Sequence, residues 1–365
     1  MRFNNIFNLN YLFIFVTLLL ICIGVAALYS AGEGSFYPWS IKHLIRFSVF
    51  FIGMIVIALV DIKLIFKYSY LFFIILLVLL FSVEIIGSFG KGAERWIRIF
   101  GVSIQPSELI KVGIITALAK HYHSIKYDNI GNLQHLIVPL FIIFIPFSLV
   151  IIQPDLGTSL SIFLLGILIM FASGLRIWKF ALGLCVGLIS LPFLWNYLKP
   201  YQQSRIKIFL NPDLDPLGKG YHIIQSKIAI GSGGIRGNGF LGGSQSSLDF
   251  IPEKETDFAF SIFSEQFGFI GALILLLIFL ILILTPIISS LKIQNTFIKI
   301  ALLGFSVKLL AEVFINVGMT LGILPVVGVA LPFMSYGGSS LLSNMIICAL
   351  IINFMSADKK VKYFR

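Results

Sequence analysis

Three carboxylates crowd into five residues of the stretch IPEKETDFAF, at positions 251–260: Glu253, Glu255 and Asp257. The chain holds only 16 acidic residues among 365, and this stretch opens an apolar run that continues to Leu284. A carboxylate at the edge of an apolar helix has two physical uses. It satisfies free N–H groups at the helix start, where the macrodipole also favours it, and Thr256 or Asp257 stands at that position. Partly withdrawn from water, a carboxylate also becomes a stronger base, suited to taking a proton from a hydroxyl. Both uses are open to Asp257, and one residue can serve both. Glu253 and Glu255 read by themselves as solvated loop charges.

Other charges lie inside apolar runs, where they are expensive and face a cavity or a partner. Glu108 and Lys111 are three residues apart, and Lys308 and Glu312 four apart, so each pair shares one helix face and can neutralise itself. Asn316 extends the second face by one turn. The arrangement fits a structural ion pair between packed helices and equally a polar cavity for an anionic headgroup. In Gln153-Pro-Asp-Leu-Gly157, a tight turn, Asp155 is placed to cap the next helix. The run GSGGIRGNG at 231–239 lacks the GK[ST] ending and the preceding strand of a nucleotide-binding loop. Its glycines serve close backbone turns, with N–H groups available to a phosphate. The stretch 335–340, SYGGSS, puts Ser335 in a small-residue break that opens the last apolar run. The histidines are scattered, and Cys22, Cys185 and Cys348 lie in apolar runs without CxxC spacing, so neither a metal site nor a disulfide is indicated.

The elements that must position these groups are membrane helices. With 58% hydrophobic and 12% charged residues, the chain has too little polar surface for a soluble domain of its length. The expected fold is all-α and polytopic, a single domain over 1–365 with about ten transmembrane helices near 11–30, 44–60, 68–87, 103–120, 136–152, 157–174, 177–195, 258–285, 297–321 and 327–354. The first run is longer than a signal-peptide core and leads into further spans, so it reads as a retained anchor. Alternate connections and termini carry 13 and 5 Lys and Arg residues, which places both termini in the cytoplasm. The net charge of +11 largely reflects that bias and shows no basic stripe with stacking aromatics, so nucleic acid is not an expected partner.

The long connection 196–257, between the seventh and eighth spans, then faces outward. It is rich in aromatic and β-branched residues, which argues for an ordered loop. Within it 220–230 (GYHIIQSKIAI) reads as a short amphipathic helix at the interface, with Lys227 toward water.

Six motifs in order give the chain a resemblance to the shape, elongation, division and sporulation (SEDS) family over nearly its whole length. They are GAERW at 92–96 with QPSE at 105–108; QPDLGT at 153–158; NPDLDPLG at 211–218; GYHIIQSKIAIGSGG at 220–234; Pro252-Glu253 with Thr256-Asp257-Phe258; and LPFMSYGGSS at 331–340. The resemblance implies a peptidoglycan glycosyltransferase of the bacterial inner membrane that polymerises lipid II beside a class B penicillin-binding protein. It also implies that Asp257 is the essential aspartate. Two departures stand out: Glu255 replaces a common histidine, and Glu94 a common second arginine. Glu255 adds negative charge beside Asp257, or shares a cation with it.

Polymerisation of this kind needs a sugar 4-hydroxyl to attack an α-linked anomeric carbon, with a lipid pyrophosphate leaving and a β-linkage forming. One in-line inverting displacement suffices. It requires a base on the hydroxyl and positive charge on the pyrophosphate, but no protein nucleophile. Asp257 is the candidate base. Arg95, Lys227 and Arg236 are candidate phosphate partners, Lys111 with Glu108 is expected to line the cavity beneath, and Glu255, Glu312 and Ser335 are further candidates for binding substrate. A divalent cation, Mg2+ or Mn2+, is a further candidate for the phosphate role, although no dedicated site is visible. Two rivals are a lipid II flippase, which has no need of the ordered outer loop, and a non-catalytic scaffold, which leaves the buried charges unexplained.

Overall fold

A computed structural model describes residues 10–86, 88–90, 93–99, 102–196, 200–215, 218–243, 245 and 253–357. The chain folds into helices α1 (Tyr11–Ala31), α2 (Trp39–Ala58), α3 (Ile62–Ile86), α4 (Pro106–His123), α5 (Leu133–Ile152), α6 (Leu156–Ala172) and α7 (Ile177–Trp195). The shorter α8 (Pro200–Leu210) and α9 (Lys219–Ser232) follow, then α10 (Ala259–Leu291), α11 (Thr296–Thr320) and α12 (Gly338–Ala357). Each of the ten expected spans falls on one of these helices, and 220–230 falls on α9.

Seven of the described helices are long and apolar enough to cross a membrane, and α6 is a shorter apolar one. The expected count of ten therefore exceeds what length and composition support directly. Among the helices behind the difference, α4 carries Glu108, Lys111 and Lys120. Its charges follow helix physics: proline and Glu108 occupy the first turn, and Lys120, His121 and His123 the last. The last expected span also shortens. Residues 321–337 are irregular, with Gly322, Gly328 and Phe333 at positive φ, and the helix begins only at Gly338.

A small antiparallel meander departs from the all-helical expectation. Strands β1 (Ser88–Gly90), β2 (Ala93–Ile99) and β3 (Val102–Ile104) lie between α3 and α4, with Ile97 opposite Ile104 and Trp96 opposite Ser88. Such short strands escape a hydropathy reading, because each contributes too few residues to a window that spans a helix.

Helices α4, α11 and α12 form the interior. Almost every residue of α4 is buried, and a continuous apolar cluster runs from Phe13 and Leu20 of α1 through Ile114 and Leu118 of α4 to Phe305 and Ile351. Outward faces are equally apolar: Val49, Ile52, Ile75, Val78, Phe141, Leu277 and Phe314 are all exposed. In water so large an apolar surface would aggregate, whereas acyl chains solvate it.

Helix α10 is broken near its start. Gly268 has φ 65° and ψ −165°, outside the helical region. The glycine-rich segment after α9 fills the break: Phe269 and Ile270 N–H donate to Gly234 O (2.9 Å) and Ile235 O (3.2 Å). In return Asn238 N–H donates to Glu265 O (3.1 Å) and Gly239 N–H to Gln266 O (3.1 Å). Those two N–H groups are committed to α10 and are not available to a phosphate. A Cβ on Gly268 would stand 2.7 Å from the Ile235 carbonyl oxygen, at a φ that side chains avoid. Gly268→Ala is accordingly expected to lower stability by about 1–3 kcal/mol from backbone strain alone. The thermal midpoint of detergent-solubilised protein checks this, and an unchanged midpoint would contradict it.

Candidate functional site

Asp257 and Glu255 lie at the end of the bundle where α1 finishes and α2, α4, α6, α10 and α12 begin. Asp257 sits just before α10, but the N-cap is Phe258, which makes no side-chain cap bond. The N-cap position expected of Thr256 or Asp257 is thus taken by Phe258. The chain instead turns at 253–256, with Thr256 N–H donating to Glu253 O (3.0 Å) and Glu253 at φ 55°. That turn delivers Asp257 half-buried, with Oδ2 above Gly328: a Cβ built there would lie 3.3 Å from it. Gly328, at φ +74°, leaves the carboxylate its space.

Three tethers fix the segment. Asp257 O accepts from Asn316 Nδ2 of α11 (3.0 Å). Glu255, also half-buried, accepts the Tyr336 N–H at its carbonyl (2.8 Å). Lys254 pairs with Glu33 beyond α1 (3.2 Å).

Beneath Asn316 the two predicted ion pairs merge into one network. Lys111 Nζ donates to Glu108 Oε1 (2.9 Å) and Glu312 Oε1 (2.8 Å). Lys308 Nζ donates to Glu312 Oε2 (2.7 Å) and to Asn344 Oδ1. Lys111, Lys308 and Glu312 are each 2% exposed, so the charges must cancel among themselves. With two lysines and two glutamates, they do. Glu108 carries additional support, its carbonyl accepting from Ser343 of α12 (3.0 Å).

Other candidates are placed elsewhere. Arg95 on β2 holds the 153–155 turn, donating to Gln153 O (3.2 Å) and Pro154 O and pairing with Asp155 Oδ2 (3.7 Å). Asp155 caps α6 as expected, accepting from Thr158 N–H (3.3 Å). Ser335 is buried, and its Oγ accepts from Leu331 N–H (2.9 Å), closing the turn before α12. Lys227 is exposed on α9 and packs over Gly322, while Arg236 is exposed in the glycine-rich segment.

Arg46 of α2, one of the five Lys and Arg residues on the outer side, also reaches this end of the bundle. Its guanidinium lies over the Tyr336 ring (4.7 Å) and beside Gly338, the first residue of α12. The signal was available: an arginine seven residues inside an apolar helix needs a polar or aromatic partner. Among the described residues no three His, Cys, Asp or Glu side chains converge where a cation would sit.

Comparison with known proteins agrees with this architecture. The family described as "Cell cycle protein" (FtsW, RodA, SpoVE) matches residues 5–360. Peptidoglycan glycosyltransferase MrdB of Escherichia coli (strain K12) is 44% identical over 276 residues, 75% of this chain and 74% of that protein. A chain from the study "Structural coordination of polymerization and crosslinking by a peptidoglycan synthase complex" superposes with TM-score 0.82 at 30% identity, covering 96% of this chain and 99% of that one. Rod shape determining protein RodA of Thermus thermophilus shares the fold, with TM-score 0.72 at 23% identity over 96% and 98% of the two chains. The match along nearly the whole sequence, on this helical frame, makes the chain a member of the FtsW, RodA and SpoVE family.

Proposed function

We propose that this chain is a peptidoglycan glycosyltransferase that polymerises lipid II into glycan strands for cell-wall elongation, with Asp257 as the general base. The observation that carries the reading is the setting of Asp257. It is half-buried just before a helix start, tethered through its backbone to Asn316, with Oδ2 placed beside Gly328 at the mouth of the site. Family membership supports the reaction class, since a 44% identical relative bears the name peptidoglycan glycosyltransferase.

Asp257 takes the proton from the acceptor's 4-hydroxyl as that oxygen attacks the donor's anomeric carbon. The C1–O bond to the lipid pyrophosphate breaks, its electrons leave on phosphate, and the linkage inverts from α to β. The departing charge needs a cation. Because Arg95 is spent on the 153–155 turn, Arg46 is the better placed, beside α12's first residue and linked through Tyr336 to Glu255. Lys227 and Arg236 supply positive charge from the α9 side. Arg46→Ala is expected to slow turnover about 10-fold or more through loss of one charged contact, with Arg46→Lys intermediate. Initial rates on labelled lipid II check this, and a wild-type rate for Arg46→Ala would remove the assignment.

In the cell the protein lies in the inner membrane with both termini cytoplasmic and the 196–257 loop outside. It works beside a class B penicillin-binding protein that crosslinks the new strand. A divalent cation, where one is bound with the substrate, would add positive charge at the pyrophosphate beside these side chains. Proteoliposomes holding labelled lipid II separate the rivals. Polymer formed by the purified protein, with or without its partner, supports the enzyme. Translocation without polymer supports a flippase.

A further inference from the structure

We infer that Asn316 is a positioning residue of Asp257, a side chain that ties its backbone to the irregular 321–337 segment. This rests on the reading of Asp257 as the base. Asn316 lies in α11, fully buried, one turn beyond Glu312. Its Nδ2 donates to Asp257 O (3.0 Å) and to Val329 O (2.7 Å), so both hydrogens of one amide are used on two separate pieces of backbone. Those pieces flank the carboxylate. One carries it, and the other carries Gly328, above which Oδ2 lies.

The amide therefore sets the spacing between the base and the floor beneath it. Neither backbone piece is held at this point by regular structure: Asp257 lies in the turn before α10, and Val329 in an irregular stretch. Asn316 Oδ1, in contrast, is buried without a hydrogen-bond partner. An unmet interior acceptor destabilises the fold, so a residue serving packing alone would not strand one. The asparagine is explained by what its Nδ2 does. Through Glu312 the same helix face is anchored to Lys111 and Lys308, which gives the amide a rigid base.

A base displaced by about 1 Å loses on the order of 100-fold in rate, because proton transfer demands alignment. Asn316→Ala is expected to lower kcat by about that factor while leaving KM for lipid II within about threefold. Asn316→Asp is expected to lose more, since it sets carboxylate oxygens against two carbonyl oxygens. In an Asp257→Asn background the residual rate should not fall further on adding Asn316→Ala, because a misplaced base and an absent one are equivalent.

The experiment measures kcat and KM of each purified full-length variant, with thermal midpoints alongside. Loss confined to kcat supports the inference. A wild-type kcat for folded Asn316→Ala overturns it, as does a raised KM at unchanged kcat. Should Asn316→Ala not fold, Asn316→Ser, which keeps one donor, decides by the same criteria, and failure of both to fold would make the residue structural. Full activity of Asp257→Asn would instead remove the base itself, an outcome distinct from all of these.

Discussion

Lys111→Met is expected to destabilise the folded protein by about 3–5 kcal/mol, the cost of breaking a buried ion pair from one side. Lys111 holds two carboxylates at once, Glu108 from its own helix and Glu312 from α11. Removing it leaves two glutamates facing Lys308 alone, an excess negative charge in a region with almost no access to water. Surface ion pairs give no comparable loss, because solvent takes over the abandoned charge. Thermal unfolding in detergent reads the effect. The pair Lys111→Met with Glu312→Gln balances the charge again, since Glu108 then faces Lys308. It is expected to be less destabilised than the sum of the single variants, as coupled neighbours require. Additive losses would show that the lysine and glutamate act independently.

Asp257→Asn is expected to lower polymerisation by about 100- to 10,000-fold, the usual contribution of a general base. The substitution keeps the shape of the side chain and removes only its ability to take a proton. The Asp257 carbonyl still accepts from Asn316, so the fold and its thermal midpoint should hold. Asp257→Glu keeps a carboxylate but lengthens it by one methylene over Gly328, where space is limited. It is expected to fall between wild type and asparagine. Steady-state rates across the series check both statements, and an Asp257→Glu variant no better than Asp257→Asn would mean that placement, not charge alone, dominates.

Much of this site was legible because helical spacing brings charges together locally. Glu108 with Lys111 and Lys308 with Glu312 are visible at three and four residues, and the capping role of Asp155 follows from its place in a turn. The bond that unites the pairs, Lys111 to Glu312, was not legible. It spans 201 residues and depends on how α4 crosses α11. The Asp257 cap failed for a related reason: a helix start shifts by a residue or two as tertiary contacts dictate, and here Phe258 takes the position. Arg95 looked like a substrate cation because charge on an outer loop is ambiguous until its neighbours are known. The glycine-rich run was read correctly as a site of close turns, but its partner, the break in α10 at Gly268, lies about thirty residues further on.

The most direct test of the account gives folded wild type and Asp257→Asn the same labelled lipid II, with moenomycin present to silence contaminating enzymes of another class. Binding and glycan ladders are then read from the same samples. Equal binding is expected, with ladders from wild type and none from Asp257→Asn. Ladders of comparable yield from both proteins would contradict it.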